Sequence, residues 1–333
     1  MAVSGRLDPS VAAVRRAVRL GLADIDAGRR VVVACSGGSD SMALAAATAF
    51  EGVNAGWLTE AVVIDHGRQP GSADVATAVA RRLETLEAFA GVGPVVVERV
   101  VVGRLGGPEA AARDARYAAL DLHARRLDAV VLLGHTRDDQ AETVLLGLAR
   151  GSGLRSLAGM RSSSGPYRRP LLTVSRAETT QACRALDIPV WHDPDNVDTR
   201  FTRVRVRRTV LPLLEAELGP GVGHALARTA DQAAADVDAL DALGAELYAR
   251  AATLAETGPC LDLALLVEVP TALRRRVLRL AALAAGCPGG ELFAVHVEAL
   301  DALCVDWHGQ RGVDLPGPVT AGRRATTLCF MSG

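Results

Sequence analysis

One short turn limits what this chain can fold into. Cys35-Ser36-Gly37-Gly38-Ser39-Asp40-Ser41 lies between the apolar run Val31-Val32-Val33-Ala34 and the alanine-rich Met42-Ala43-Leu44-Ala45-Ala46-Ala47. A β-branched run, a Gly/Ser turn and then strong helix formers read as strand, tight loop, helix. Adjacent glycines let the backbone approach a ligand with its N–H groups turned inward. The helix opening near Ser41 adds the positive end of its dipole, so the turn can cradle phosphate. It is not a Walker A loop, which needs a lysine to reach the terminal phosphates. The chain has no lysine, because all 37 residues counted as Lys+Arg are arginines. That absence excludes lysine Schiff-base chemistry, pyridoxal enzymes and P-loop kinases of the usual kind.

What remains is an ATP site whose loop holds phosphate by backbone amides and hydroxyls, with Asp40 beside it able to hold a metal ion. At 333 residues the chain has room for two domains. A net charge of −1 gives no global attraction to nucleic acid, so any RNA contact must come from local arginine clusters. Six cysteines with no C-x-x-C pair argue against a zinc or iron–sulfur site and for reduced, packed thiols. Cys35, inside a β run, reads as one of these rather than as a nucleophile. Arg15, Arg16 and Arg19 interrupt the N-terminal helix pattern, and no charge-free span is long enough to cross a bilayer. A cytoplasmic enzyme with no membrane partner is expected.

Along the chain, Pro9 to Ala27 reads as an amphipathic helix. Strand-like runs at Ala61-Val62-Val63-Ile64, from Val95-Val96-Val97 to Val102, and at Val130-Val131-Leu132-Leu133 then alternate with helical patterns near Ala73 to Phe89 and Ala110 to Leu127. The fold class this implies is α/β, an open and mainly parallel sheet with helices on both faces. Ligands of such sheets bind beyond the carboxyl ends of the strands. Two motifs lie there, Asp65-His66-Gly67 and the segment from Gly134-His135 to Asp138-Asp139-Gln140-Ala141-Glu142-Thr143. Capping accounts for one carboxylate at a helix start but not for three. Residues three and four apart share a helix face, so Glu142 can join Asp139 or Asp138 in a pocket for Mg2+ or a cationic amine. His135, beside them, suits a phosphate contact or acid–base role.

These strings, in this order, resemble the tRNA(Ile)-lysidine synthases, in a short form with one C-terminal domain. The Ser36-to-Ser41 turn resembles the pyrophosphatase-type loop of enzymes that adenylate a carbonyl oxygen. Ala112-Arg113-Asp114-Ala115-Arg116-Tyr117, Arg150-Gly151-Ser152-Gly153, Arg169-Pro170-Leu171-Leu172, Asp193 to Asn196, Arg203 to Pro212 and Asp314-Leu315-Pro316-Gly317 also match. Val204 and Asp195 depart from the family pattern, in which asparagine and a serine or threonine are usual.

The resemblance implies a Rossmann-like domain of the adenine nucleotide alpha hydrolase type. It also implies ligation of free L-lysine to C2 of the wobble cytidine of tRNA(Ile) with a CAU anticodon. The route is an adenylated cytidine, ATP going to AMP and pyrophosphate. Ser36, Gly37, Gly38, Ser39, Asp40 and Ser41, with Asp65, His66 and Gly134, would then bind ATP, and Asp40 would help hold Mg2+. Asp139 and Glu142 would hold the lysine, while Arg113, Arg116 and His135 would act near the reacting phosphate. Rival readings are another adenylating enzyme on the same loop, a tRNA thiolase or a small-molecule amide-forming synthetase, and a non-catalytic nucleotide- or RNA-binding module.

Arg200, Arg203, Arg205, Arg207 and Arg208 form the densest basic stretch and are the candidate tRNA contacts. Leu211-Pro212 breaks that pattern, so a catalytic domain over residues 1–212 and a smaller, largely helical domain over 213–333 that positions tRNA are expected. The second domain should hold a long helix from Val222 to Ala252 with a Leu226, Leu240, Leu243 and Leu247 stripe. A helix from Thr271 to Ala285, bearing Arg274, Arg275, Arg276 and Arg279, and a final turn between short strands should follow. Homodimerisation is left open.

Overall fold

The computed structural model describes residues 7–67, 71–103, 108–151, 153–255 and 258–332; Ser152 of the Arg150-to-Gly153 string lies outside them. Contacts divide the chain into one unit ending at Ala233 and a second running from Ala234. The division falls inside a long helix.

The first unit begins with α1 (Pro9–Gly21), β1 (Arg30–Cys35), α2 (Ser39–Ala55), β2 (Leu58–Asp65), α3 (Ser72–Thr85), β3 (Val95–Arg99), α4 (Pro108–Leu127) and β4 (Val130–Leu133). It continues with α5 (Arg137–Ala149), α6 (Gly153–Leu157), β5 (Ser163–Ser164), β6 (Tyr167–Arg168), α7 (Arg176–Ala185), α8 (Thr202–Arg205) and α9 (Leu211–Leu218). Its sheet has the order β3-β2-β1-β4-β6-β5, parallel except where β5 meets β6. Alternation along each strand splits its side chains between two faces. Val31, Val33, Cys35, Ala61, Val63 and Leu132 pack with residues of α1, α2, α3 and α7, whereas Val32, Ala34, Val62, Val131 and Leu133 pack with Leu120 and Ala124 of α4. The sheet is therefore covered on both sides, and the central strands are continuously apolar as such burial requires.

The alanine run of α2 has a packing reason, since its residues from Ser41 to Ala49 are all buried and small side chains let the helix lie close to the sheet. The chain leaves β1 toward β2 on one side and is joined by β4 on the other. This is the switch point where the two loops that carry the motifs meet.

The long helix α10 (Val222–Ala251) spans the division. Its buried positions are Ala227, Ala230, Ala233, Val237, Leu247 and Ala251, and Leu243 is exposed. Small residues thus replace most of the expected leucine stripe.

The second unit adds β7 (Ala252–Ala255), β8 (Gly258–Asp262), α11 (Thr271–Ala284), α12 (Ala294–Val305), β9 (Val313–Leu315), β10 (Val319–Arg324) and β11 (Thr327–Ser332). Its helices cover an antiparallel sheet of order β7-β8-β11-β10-β9, of which sequence reading marks only the Pro316-Gly317 turn between β9 and β10. Leu261, Val277, Leu278, Leu300, Ala321 and Phe330 form its core. Register sets Cys329 opposite Cys260, and these two are joined in a disulfide across 69 residues of chain. That corrects the expectation of six free thiols: the partners are neighbours only through strand pairing. The other four cysteines are free and buried.

Leu132 is fully buried in β4. Leu132→Ala should lower the unfolding free energy by about 2–5 kcal/mol, as large-to-small core changes do, read from the urea midpoint at unchanged m-value.

Candidate active site

The glycine turn opens α2. Gly37 has φ +84°, and a Cβ there would lie 2.5 Å from Val79, so only glycine serves. Gly38 is the N-cap. Ser41 Oγ accepts from the Ser36 backbone N–H at 3.1 Å, lies 3.2 Å from Ser36 Oγ and donates to Gly38 O at 3.0 Å. The turn is thus closed by its own hydroxyls. Gly134, after β4, packs on its back, where a Cβ would come within 3.1 Å of Asp40 and Ser41 backbone atoms. Gly134 therefore lets the two strand ends meet, a packing role beside any contact with nucleotide.

Asp139 divides its two oxygens between structure and chemistry. Oδ2 accepts from the Thr136 backbone N–H at 2.8 Å and the Thr136 hydroxyl at 2.9 Å, completing a capping box on α5. Oδ1 faces Arg176 Nη2 at 2.8 Å and Arg207 Nη2 at 3.2 Å. One turn along, Glu142 is fully buried and accepts from Arg203 Nε at 2.7 Å, Arg207 Nε at 2.7 Å and Arg176 Nη1 at 3.5 Å. Asp138 accepts from the Arg176 backbone N–H at 2.8 Å, so it holds the start of α7. Asp40 meets Arg176 Nε at 3.3 Å and the Thr179 hydroxyl.

Asp40, Asp139 and Glu142 are thus met by three guanidiniums, those of Arg176, Arg203 and Arg207, so the carboxylates and the cations that pair with them are equal in number. Burial pushes Asp139 up, but Arg176 and Arg203 outweigh it and hold the carboxyl at about 2. Burial raises Asp40 against the pull of Arg176.

Across the same cavity, of about 590 Å³ and lined by Ser36, Asp40, His66, Arg116, His135 and Asp139 among others, arginines predominate. Burial, then Arg116, pulls His135 down to about 3, so its imidazole is neutral at physiological pH. Its Nδ1 is buried with no hydrogen-bond partner among the described residues. Burial together with Arg113 and Arg169 lowers Arg116. The guanidiniums of Arg113 and Arg116 lie 4.9 Å and 5.9 Å from the Tyr117 ring centroid. Asp65 accepts from the Gly67 N–H at 2.9 Å, and with His66 it borders an adjoining cleft that also contains Trp191 and Asn196.

The basic stretch separates into two groups. Val204 and Val206 are buried, which turns Arg203 and Arg207 onto the acids. Arg200, Arg205 and Arg208 are exposed; they pair with Asp198, with the carbonyls of Thr199 and Arg200, and with the carbonyl of Val197. A π turn over Val206–Val210 follows α8, and the Leu211 N–H reaches back to Val206 O. Arg176, Thr179 and Trp191 are site residues that sequence reasoning missed. Ser175-x-x-Glu178, a capping box that starts α7, was the available signal for the first two. Burial raises the thiols of Cys35 and Cys183, the latter to about 12, so neither is a ready nucleophile.

A glycine turn after β1 of a parallel sheet, without a lysine, defines a PP-loop protein, and the PP-loop domain model matches residues 12–214. The TilS substrate binding domain model matches residues 261–328. The tRNA(Ile)-lysidine synthase of Streptomyces coelicolor is 54% identical over 91% of this chain and 85% of that protein, and that of Thermobifida fusca is 53% identical over 95% of each. The chain belongs to the tRNA(Ile)-lysidine synthase family. The solved structure of the U34-tRNA thiolase NcsA from Methanococcus maripaludis shares the fold, with TM-score 0.56 at 17% identity over 67% of this chain and 79% of that one.

His135 has a lower proton affinity in the fold than its ordinary value of 6.5, so the unfolded chain binds the proton more tightly. Stability should therefore fall as pH drops from about 6.5 toward 3. His135→Asn should flatten that decline in urea titrations across the same range, and an unchanged slope would contradict a neutral His135.

Proposed function

We propose that the chain joins free L-lysine to C2 of the wobble cytidine of tRNA(Ile) with a CAU anticodon, consuming ATP and releasing AMP and pyrophosphate. The observation that carries this reading is one cavity lined by the phosphate turn and by Asp139, with Glu142 buried behind Asp139 against the same arginines. The chain is an ATP-using ligase of the carbon–nitrogen type, and lysidine in tRNA(Ile) is its product.

In the first step the cytidine O2 attacks the α-phosphate and pyrophosphate departs. Ser36 to Ser41 hold the phosphates through backbone N–H groups and hydroxyls, and Arg113 and Arg116 offset the charge that builds on the reacting phosphorus. Neutral His135 offers a hydrogen bond rather than a second cation. In the second step the lysine ε-amine attacks C2, the bond from C2 to the activated oxygen breaks, and AMP leaves with that oxygen. Asp139 and Glu142 grip the ammonium, and a carboxylate of this site takes the proton the amine must lose.

Mg2+ binds through one or two carboxylates plus phosphate and water. Asp40 is the one acid on the turn, and among the described residues no group of three His, Cys, Asp or Glu could cage a metal. These residues fit an ion brought in with the triphosphate, held by Asp40, that would offset charge on the departing pyrophosphate. For tRNA, the exposed Arg200, Arg205 and Arg208 replace the full five-residue stretch as phosphate contacts, and the unit from Ala234 positions the substrate. The match over residues 261–328 supports that assignment. No helix among the described residues is long and apolar enough to cross a membrane. The proposed substrates place the work in the cytoplasm.

The test is incubation with ATP, labelled amino acids and a tRNA(Ile) transcript bearing CAU. Lysine alone should enter the RNA, together with pyrophosphate release, and pyrophosphate release independent of RNA would sink the reading. Asp139→Asn keeps an acceptor for the α5 cap but loses the charge. It should raise the lysine KM by roughly tenfold or more, in line with a lost charge-assisted contact, with ATP affinity little changed. Arg205→Ala with Arg208→Ala should weaken tRNA binding and flatten its salt dependence by about one to two in log–log slope, measured by filter binding.

A further inference from the structure

Arg176 occupies the first position of α7, and among the described residues its guanidinium alone pairs with both the glycine turn and the acidic pair. Nε donates to Asp40 Oδ2 at 3.3 Å, Nη2 to Asp139 Oδ1 at 2.8 Å and Nη1 to Glu142 Oε1 at 3.5 Å. The backbone N–H of the same residue is fixed on Asp138 at 2.8 Å, so its main chain is pinned to the helix its side chain grips. Thr179, one turn on, holds the other Asp40 oxygen and donates to Arg176 O at 2.9 Å. Arg203 and Arg207 reach Asp139 and Glu142, and no pairing of theirs with Asp40 occurs among the described residues.

We propose that Arg176 is a positioning residue that couples the two small substrates, so that filling the nucleotide site raises affinity at the amine site and the reverse. The inference rests on the reading of Asp139 and Glu142 as the lysine pocket. A guanidinium carries five N–H donors in a planar fork and can be shared among three carboxylates. Phosphates arriving at the turn add negative charge on the Asp40 side and draw the guanidinium that way. Its hold on Asp139 and Glu142 loosens, and those carboxylates become available to an ammonium. An ammonium that arrives first displaces the two Nη contacts and leaves the guanidinium free to turn toward phosphate. Linkage requires the two effects to be equal.

The test is calorimetric titration of the full chain with lysine in the absence and presence of a non-hydrolysable ATP analogue, and of the analogue with and without lysine. The native protein should bind each ligand at least about fivefold tighter when the other is present, the lower end of ordinary coupling. In Arg176→Gln the two factors should fall to near one while the protein still binds the analogue. Arg176→Lys keeps the charge but cannot reach three carboxylates at once, and it should lose the coupling as well; it serves where the glutamine variant does not fold.

A residue that only neutralised buried acids would change both affinities in proportion and leave the factor intact. Coupling that persists in both variants, or a native factor of one with normal lysine binding, overturns the inference and spares the lysine pocket. Native protein that binds no lysine under either condition overturns both.

Discussion

The structure depends on the neutralisation of Glu142. A carboxylate with no exposed surface is costly unless it is paired and hydrogen-bonded, and here three arginines from two separate stretches converge on it. To reach it, α7 must begin beside α5 and the segment from Thr202 to Val210 must fold back over both. The site is thus assembled by the demand of a buried charge, and its arginines are committed to that demand before they can serve a substrate. Asp139 shows the same economy: one oxygen ends a helix and the other enters the cavity.

This explains which parts could be read in advance. Strand, glycine turn and helix from Val31 to Ala47 are local signals, and local chemistry decides them. The Asp138-Asp139-Glu142 group is likewise visible, because helix periodicity puts its members on one face. Arg176 is not visible. Its partners lie 136, 37 and 34 residues away, and a capping box announces only that a helix begins. The basic stretch was legible as charge and not as direction: alternation of arginine with valine suits an exposed ribbon, but burial of Val204 and Val206 turns two of the five arginines inward. Cys260 and Cys329 meet only through the register of a sheet that sequence reading glimpsed at one turn.

The two sides of the cavity differ electrically. On the β4 side, three carboxylates are matched by the three guanidiniums that reach them. Toward α4, no carboxylate pairs with Arg113 or Arg116 among the described residues, and burial together with the charge of Arg116 holds His135 deprotonated. A reaction that must stabilise a departing anion and seat a cation a short distance away needs such a gradient, and low dielectric makes each half stronger than it would be in water.

The wide turn at Val206–Val210 has a geometric corollary. An i→i+5 turn holds more residues than a regular one, and here it carries Arg207 and lies between Arg203 and α9. Loss of one residue from it would let the helix relax to its ordinary pitch and swing everything after it by about 100° around the axis. Arg203, upstream, would stay where it is, and α9 would present a different face to its neighbours. In that sense the turn sets the phase between the charge cluster and α9.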